Sequence, residues 1–250
     1  MEATTVRRER HSANGARAWE DRTRVFLTPI APPSILGLFG FAAATFIVSA
    51  HLAGWYGSTE TPLYLAPFCA MFGGVAQFAA GLFAFRARDG LATAMHGMWG
   101  SFWIAFGILN VLGATGALAL DSSTFYDAFG YWFFALAAIT VCGTLAALAE
   151  SIGLVSVLGT LSVGAAFLAI GYLTDSTPTA GEGWLLAGAW VLIGSALLAA
   201  YVATAMMMEG TFGRVVLPLG KLSRQANVPG GEVTVPIEWD RGEPGIRHGQ

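Results

Sequence analysis

The chain has 250 residues, of which 55% are hydrophobic and 12% charged, with a formal net charge of -3 and a mean hydropathy of +0.60. Soluble globular proteins carry about 25% charged residues. This composition, with apolar runs of about 20 residues or more, excludes a soluble globular protein and specifies an all-α polytopic membrane protein.

Residues 1–32 come first, as a basic segment holding Arg7, Arg8, Arg10, Arg17, Arg22 and Arg24. It has no apolar core and no small-residue cleavage site, so it does not read as a cleaved signal peptide. Six apolar spans follow, at 33–53, 62–85, 91–117, 126–148, 151–173 and 183–208, together forming a transmembrane domain over 33–208. Each is long enough to cross about 30 Å of hydrocarbon at 1.5 Å per residue. The loops at 54–61, 118–125 and 174–182 hold no Lys or Arg, whereas Arg86 and Arg88 share one loop on the opposite side. Arg214, Lys221, Arg224, Arg241 and Arg247 follow the last span, within a segment over 209–250 that reads as unstructured after about 222. With six spans, every basic segment falls on one side, and the excess of positive charge on the inner face predicts that both termini are cytoplasmic. Cys69 and Cys142 fall at depths about 13 Å apart, too far for a disulfide, and read as packing residues.

No Lys or Arg falls within a span, and Glu150, Asp127 and Glu209 sit at edges. Intramembrane ionisable groups mark proton and ion relays, so the pattern argues against a light-driven or rotary proton pump. There is no Walker A loop, no His pair at ligand spacing, and no GxSxG or HExxH pattern. An enzyme, a metal, a cofactor and a nucleic-acid partner are therefore not expected. The lipid bilayer is the expected surroundings.

What the spans do carry is hydroxyls, amides and aromatics. Phe41, Thr45 and Ser49 are four apart and form one stripe, with His51 just beyond, near the outer mouth. Trp99, Trp103, Phe106 and Asn110 form a second stripe. Thr160 and Ser162 add hydroxyls in span five. Such groups suit a small polar solute that exchanges hydrogen bonds, and they equally suit helix-to-helix bonding. In FGGVAQFAAG (72–81), Gly73, Gly74 and Gly81 weaken the helix by roughly 1 kcal/mol each, so close backbone packing is expected to compensate. That packing would bring Gln77 inside, either to bond a neighbouring helix or to meet a solute. His96 reads as an interface residue bonded to a neighbour, and Arg214 as an interfacial anchor or an attractor for carboxylates.

Four stretches together carry a resemblance. PPSILGLFGF (32–41) resembles the Asn-Pro-Ala-Pro-Leu-Gly-Leu signature of the acetate uptake transporters, the succinate–acetate permease group. FGGVAQFAAG (72–81), WGSFW (99–103) and TFGRVVLPLGK (211–221) are similar to that family's later motifs, and all four occur in family order. The resemblance implies six helices per protomer, a homo-hexamer, and in each protomer a pathway for acetate and related small monocarboxylates, with succinate as a further candidate. It also implies a hydrophobic gate at Phe41, Trp99 and Leu161, where Trp99 replaces a common Tyr. Ser49 stands where Asn is frequent, and Met206 where an acid is often found. The expected function is uptake across the cytoplasmic membrane, by proton symport or a channel-like path, past His51, Trp55 and Tyr56. The competing expectations are a channel for ammonium or another small solute, and a non-transporting membrane scaffold or sensor. The absence of an intramembrane acid weakens the ammonium reading, and the aromatic gate weakens the scaffold.

Overall fold

The computed structural model describes residues 30–175 and 177–222. The basic segment before residue 30 and the tail after 222 lie outside the described residues, as does the expectation that the tail is unstructured. Six helices are long and apolar enough to cross a membrane, with mean hydropathies of 1.3 to 2.1. They are α1 (Pro33–Leu52), α2 (Thr61–Ala87), α3 (Gly90–Ala114), α4 (Ser123–Ala147), α5 (Ile152–Thr174) and α6 (Gly183–Phe212). Each overlies one expected span to within a few residues; α6 runs furthest past its expected end.

Local chemistry sets the boundaries. Asp89 caps α3, its Oδ1 accepting from the Ala92 N–H at 2.8 Å. Ser122 and Ser151 cap α4 and α5 by accepting from the N–H groups of Phe125 and Leu154. Such caps satisfy donors that a helix start leaves open. Proline in the first turn of α1 and α2 fits the same place, since its missing N–H has no partner there anyway.

The helices close into a ring in the order α1, α2, α3, α4, α5, α6, with α6 packed again on α1 and the α3–α4 seam the slightest. α2 is interrupted by a π-helical turn over Ala70–Ala76, just after Pro67. Proline withholds one ladder hydrogen bond, and the following turn widens. The glycines of the quoted stretch lie in and after this turn and permit very close approach. A Cβ on Gly73 would fall 2.5 Å from the Trp103 ring, and one on Gly81 would fall 2.8 Å from the Gly97 nitrogen. A Cβ on Gly74 would fall 2.9 Å from the Ile104 side chain of α3. Gly40 of α1 abuts the Phe72 carbonyl in the same turn.

The segment after α6 folds back onto the start of α5. The N–H groups of Ile152 and Gly153 donate to the carbonyls of Gly220 and Leu219 at 2.9 and 3.0 Å, and the Leu222 N–H donates to the Glu150 carbonyl at 2.9 Å. Tyr201 Oη donates to the Pro218 carbonyl, and Lys221 pairs with Glu209 at 3.1 Å. TFGRVVLPLGK thus serves first as a cap for α5. Arg214, within this segment, is exposed. Cys69 is buried, but Cys142 points outward and does not pack in the core; both are free.

Candidate functional site

Two cavities lie end to end along the ring axis. The first, of about 40 Å³, is lined from the starts of α1, α3 and α5 and includes Ser34, Gln77, Asp89, His96 and Glu150. The second, of about 80 Å³, is lined from the other ends of the same helices by Thr45, Ser49, His51, Trp103 and a wall of aromatic rings. Trp99 and Leu161 line both, and Phe41 lines the first. The Phe41 and Trp99 rings meet edge to face with centroids 6.2 Å apart. All three side chains are 2 to 3% exposed, so the partition between the chambers is dry.

Trp99 is held from the side. Its Nε1–H donates to Thr140 Oγ1 at 3.0 Å, and that hydroxyl in turn donates to the Leu136 carbonyl at 2.6 Å. The indole therefore recovers a polar anchor although the phenol hydroxyl of the commoner Tyr is gone. Trp99 also packs edge to face on Phe102 at 5.4 Å.

Each chamber contains buried polar atoms without a hydrogen-bond partner among the described residues. They are Gln77 Oε1 and His96 Nδ1 in the first, and Thr45 Oγ1 and Trp103 Nε1 in the second. An unmet buried polar group costs about 1–3 kcal/mol. Four such atoms on residues lining two cavities are groups that a polar solute or water reaching them would satisfy. His96 is not the bonded interface residue expected. Its ring fills the space left by Gly37, where a Cβ would stand 2.5 Å from the imidazole. His51 lines the second chamber, and its Nδ1 lies 3.1 Å from the Tyr56 carbonyl. A carbonyl oxygen only accepts, so Nδ1–H is the donor in that contact. Trp55 and Tyr56 stand half exposed above, Trp55 against Trp190 and Tyr56 donating to the Ile47 carbonyl.

The structure thus brings Phe41, Trp99, Leu161, Gln77, Thr45, Ser49 and His51 to the two chambers. It does not bring Thr160 or Ser162 there. Their hydroxyls return to carbonyls of their own helix, at Ser156 and Gly159, because residues adjacent to Leu161 are turned about 100° away from the face Leu161 presents. Asn110 likewise leaves the second stripe, donating to the Phe106 carbonyl and lining an apolar groove between α2 and α3. Ser195 bonds α6 to the Val157 carbonyl of α5, as helix-to-helix glue.

Thr140, Asp89 and the inward placement of Glu150 were not among the expected site residues. Both acids lie outside the spans. Burial raises the Asp89 carboxyl, an effect opposed by the N–H groups of Ala92 and Leu91. Burial, and then the charge of Asp89, push Glu150 up from 4.5 to about 7. Between those two values the folded chain binds more proton than the unfolded one, so Glu150 removes stability as pH rises through that window. Glu150→Gln is accordingly expected to raise the melting midpoint in detergent at about pH 8 and to leave it unchanged at about pH 4. Tryptophan fluorescence during heating reads both.

Residues 20–224 match the GPR1/FUN34/yaaH family. The acetate transporter protein patA of Aspergillus clavatus is 29% identical over 218 residues, covering 85% of this chain and 87% of that protein. The succinate-acetate/proton symporter SatP of Escherichia coli K12 is 27% identical over 195 residues, covering 78% and 97%. Among solved structures, the bacterial acetate channel SatP superposes with a TM-score of 0.68 at 25% identity, covering 76% of this chain and 99% of that one.

Proposed function

The chain belongs to the GPR1/FUN34/yaaH family, and from that premise we propose that it carries acetate and related small monocarboxylates across the cytoplasmic membrane. The observation that supports this best is the pair of small, mainly apolar chambers, each with a few buried polar groups, meeting at a dry aromatic partition. In this reading a carboxylate reaches the second chamber past His51 and exchanges water for the Thr45 hydroxyl and the Trp103 N–H. Phe41, Trp99 and Leu161 form the gate. A bare anion there would be very costly to desolvate, so the solute crosses as the neutral acid, and the partition excludes hydrated ions by dewetting. Beyond the gate it meets the Gln77 amide and His96. The Asp89 end, beside Arg86 and Arg88, faces the cytoplasm by the charge bias of the loops. Six protomers, each with its own path, form the working assembly, and the protein performs no catalysis.

The direct test is uptake of labelled acetate by vesicles holding the purified protein, with protein-free vesicles as control because neutral acid leaks through lipid. Uptake clearly above the control, reduced by unlabelled acetate, is the expected result. Rates equal to the control would refute the carrier reading. Accumulation under an imposed proton gradient identifies symport, and simple equilibration a channel-like path.

A further inference from the structure

We propose that Glu150 and Asp89, with His96 beside them, form the proton-holding site of this carrier at the mouth of the first chamber. The inference rests on the carrier reading above and assigns the proton route within it. The acids within the helices, Asp127 of α4 and Glu209 of α6, sit near helix ends rather than deep in the spans. The fold supplies two from loops instead. Asp89 and Glu150 come from the short connections before α3 and α5 and both line the first chamber. Two residues lining the same space carry buried polar atoms without partners among the described residues, Gln77 Oε1 and His96 Nδ1, the residues being 2% and 5% exposed. The cavity is therefore provisioned with hydrogen-bonding groups beyond what the fold itself uses.

Arg88 precedes Asp89 in its loop, and Lys221, bridged to Ser151, is paired with Glu209 of α6. Asp89 is tied down as the α3 cap, its backbone bonds opposing the upward effect of burial on its carboxyl, and burial, then the charge of Asp89, raises Glu150. The Glu150 backbone is fixed by the Leu222 N–H.

The step balances simply. The O–H bond of the solute acid breaks, and a new O–H bond forms on the Glu150 carboxylate; the solute leaves as an anion. Glu150 then gives the proton to water at the mouth and is again a carboxylate. An ordinary carboxylic acid titrates near about 4.3. Glu150, at about 7, is the stronger base and accepts the proton, yet releases it near neutral pH.

The test compares Glu150→Gln with the native protein in vesicles, with the same pH on both sides and protein-free leak subtracted. Glutamine mimics the protonated side chain. The variant-to-native ratio of acetate flux is expected near one at about pH 5.5 and near one-tenth at about pH 8. Asp89→Asn should move the inflection of the pH profile downward, because Glu150 loses the charge that adds to burial in raising it. Glu209→Gln, altering only the exposed pair with Lys221, should leave the ratio at one throughout. A flat Glu150→Gln ratio in a protein whose native form carries acetate would overturn this inference alone. Native flux equal to protein-free vesicles would overturn the carrier reading with it. Should Glu150→Gln fail to fold, an unmoved inflection in Asp89→Asn overturns the proposal by itself.

Discussion

Replacing Phe41 by Ala is expected to raise acetate flux roughly tenfold, equivalent to about 1.4 kcal/mol off the barrier, and to admit longer monocarboxylates. The partition between the chambers is made of three side chains, and Phe41 supplies one of them, edge on to Trp99. Removing its ring joins a cavity of about 40 Å³ to one of about 80 Å³. Water then spans the gap, and the dewetting barrier falls. A purely structural Phe41 behaves differently. Its loss would lower the melting midpoint, with flux per folded protein unchanged or reduced. Flux of acetate against butyrate, normalised to folded protein, separates the two: increased flux with weaker discrimination supports the gate, and unchanged selectivity with lower stability sinks it.

The parts of this site that could be read from sequence share one property: they depend on a single helix. Thr45 and Ser49 follow Phe41 at four-residue spacing, and all three do reach the axis. Leu161 and Trp99 came from resemblance, and the structure places both between the chambers. Thr160 and Ser162 show where that approach stops. Lying next to a gate residue in sequence is the wrong criterion on a helix, where neighbours point in different directions.

What could not be read depends on two or more elements. Asp89 and Glu150 lie in separate loops, and only the ring brings them to one chamber. Thr140, with Thr144 four residues on, lies in a span otherwise rich in apolar and aromatic residues. A signal for it did exist, since a Trp replacing Tyr at a dry gate needs an acceptor for its N–H, but nothing in the sequence says which helix provides it. His96 was misread for a similar reason. Its proximity to Arg86 and Arg88 along the chain suggested an interface, whereas Gly37 on another helix makes the room that buries it. The glycine-rich stretch announced close packing correctly, yet not the π turn that places Gly73 and Gly74 against α3.

That close packing sets the expectation for Gly40→Ala, which should cost about 3 kcal/mol or more and sharply reduce the yield of folded protein. A methyl group at this position collides with the Phe72 carbonyl oxygen. The obstacle is backbone, which cannot turn aside as a side chain could. It is also held within the π turn, where Pro67 has already disturbed the ladder. Relief requires α1 to move away from α2. The same face of α1 carries Gly37, packed on His96, and Phe41, so any such movement would also open the first chamber. Gly194→Ala is the matched control. It makes the same change in the middle of α6, where a Cβ meets nothing within 4 Å, and should raise helix stability slightly. The melting midpoint and monodisperse yield in detergent decide the matter. Equal behaviour of the two variants would mean that the α1–α2 contact is softer than its geometry implies, and that the position of Phe41 relative to Trp99 is set by the aromatic packing around the gate rather than by backbone contact.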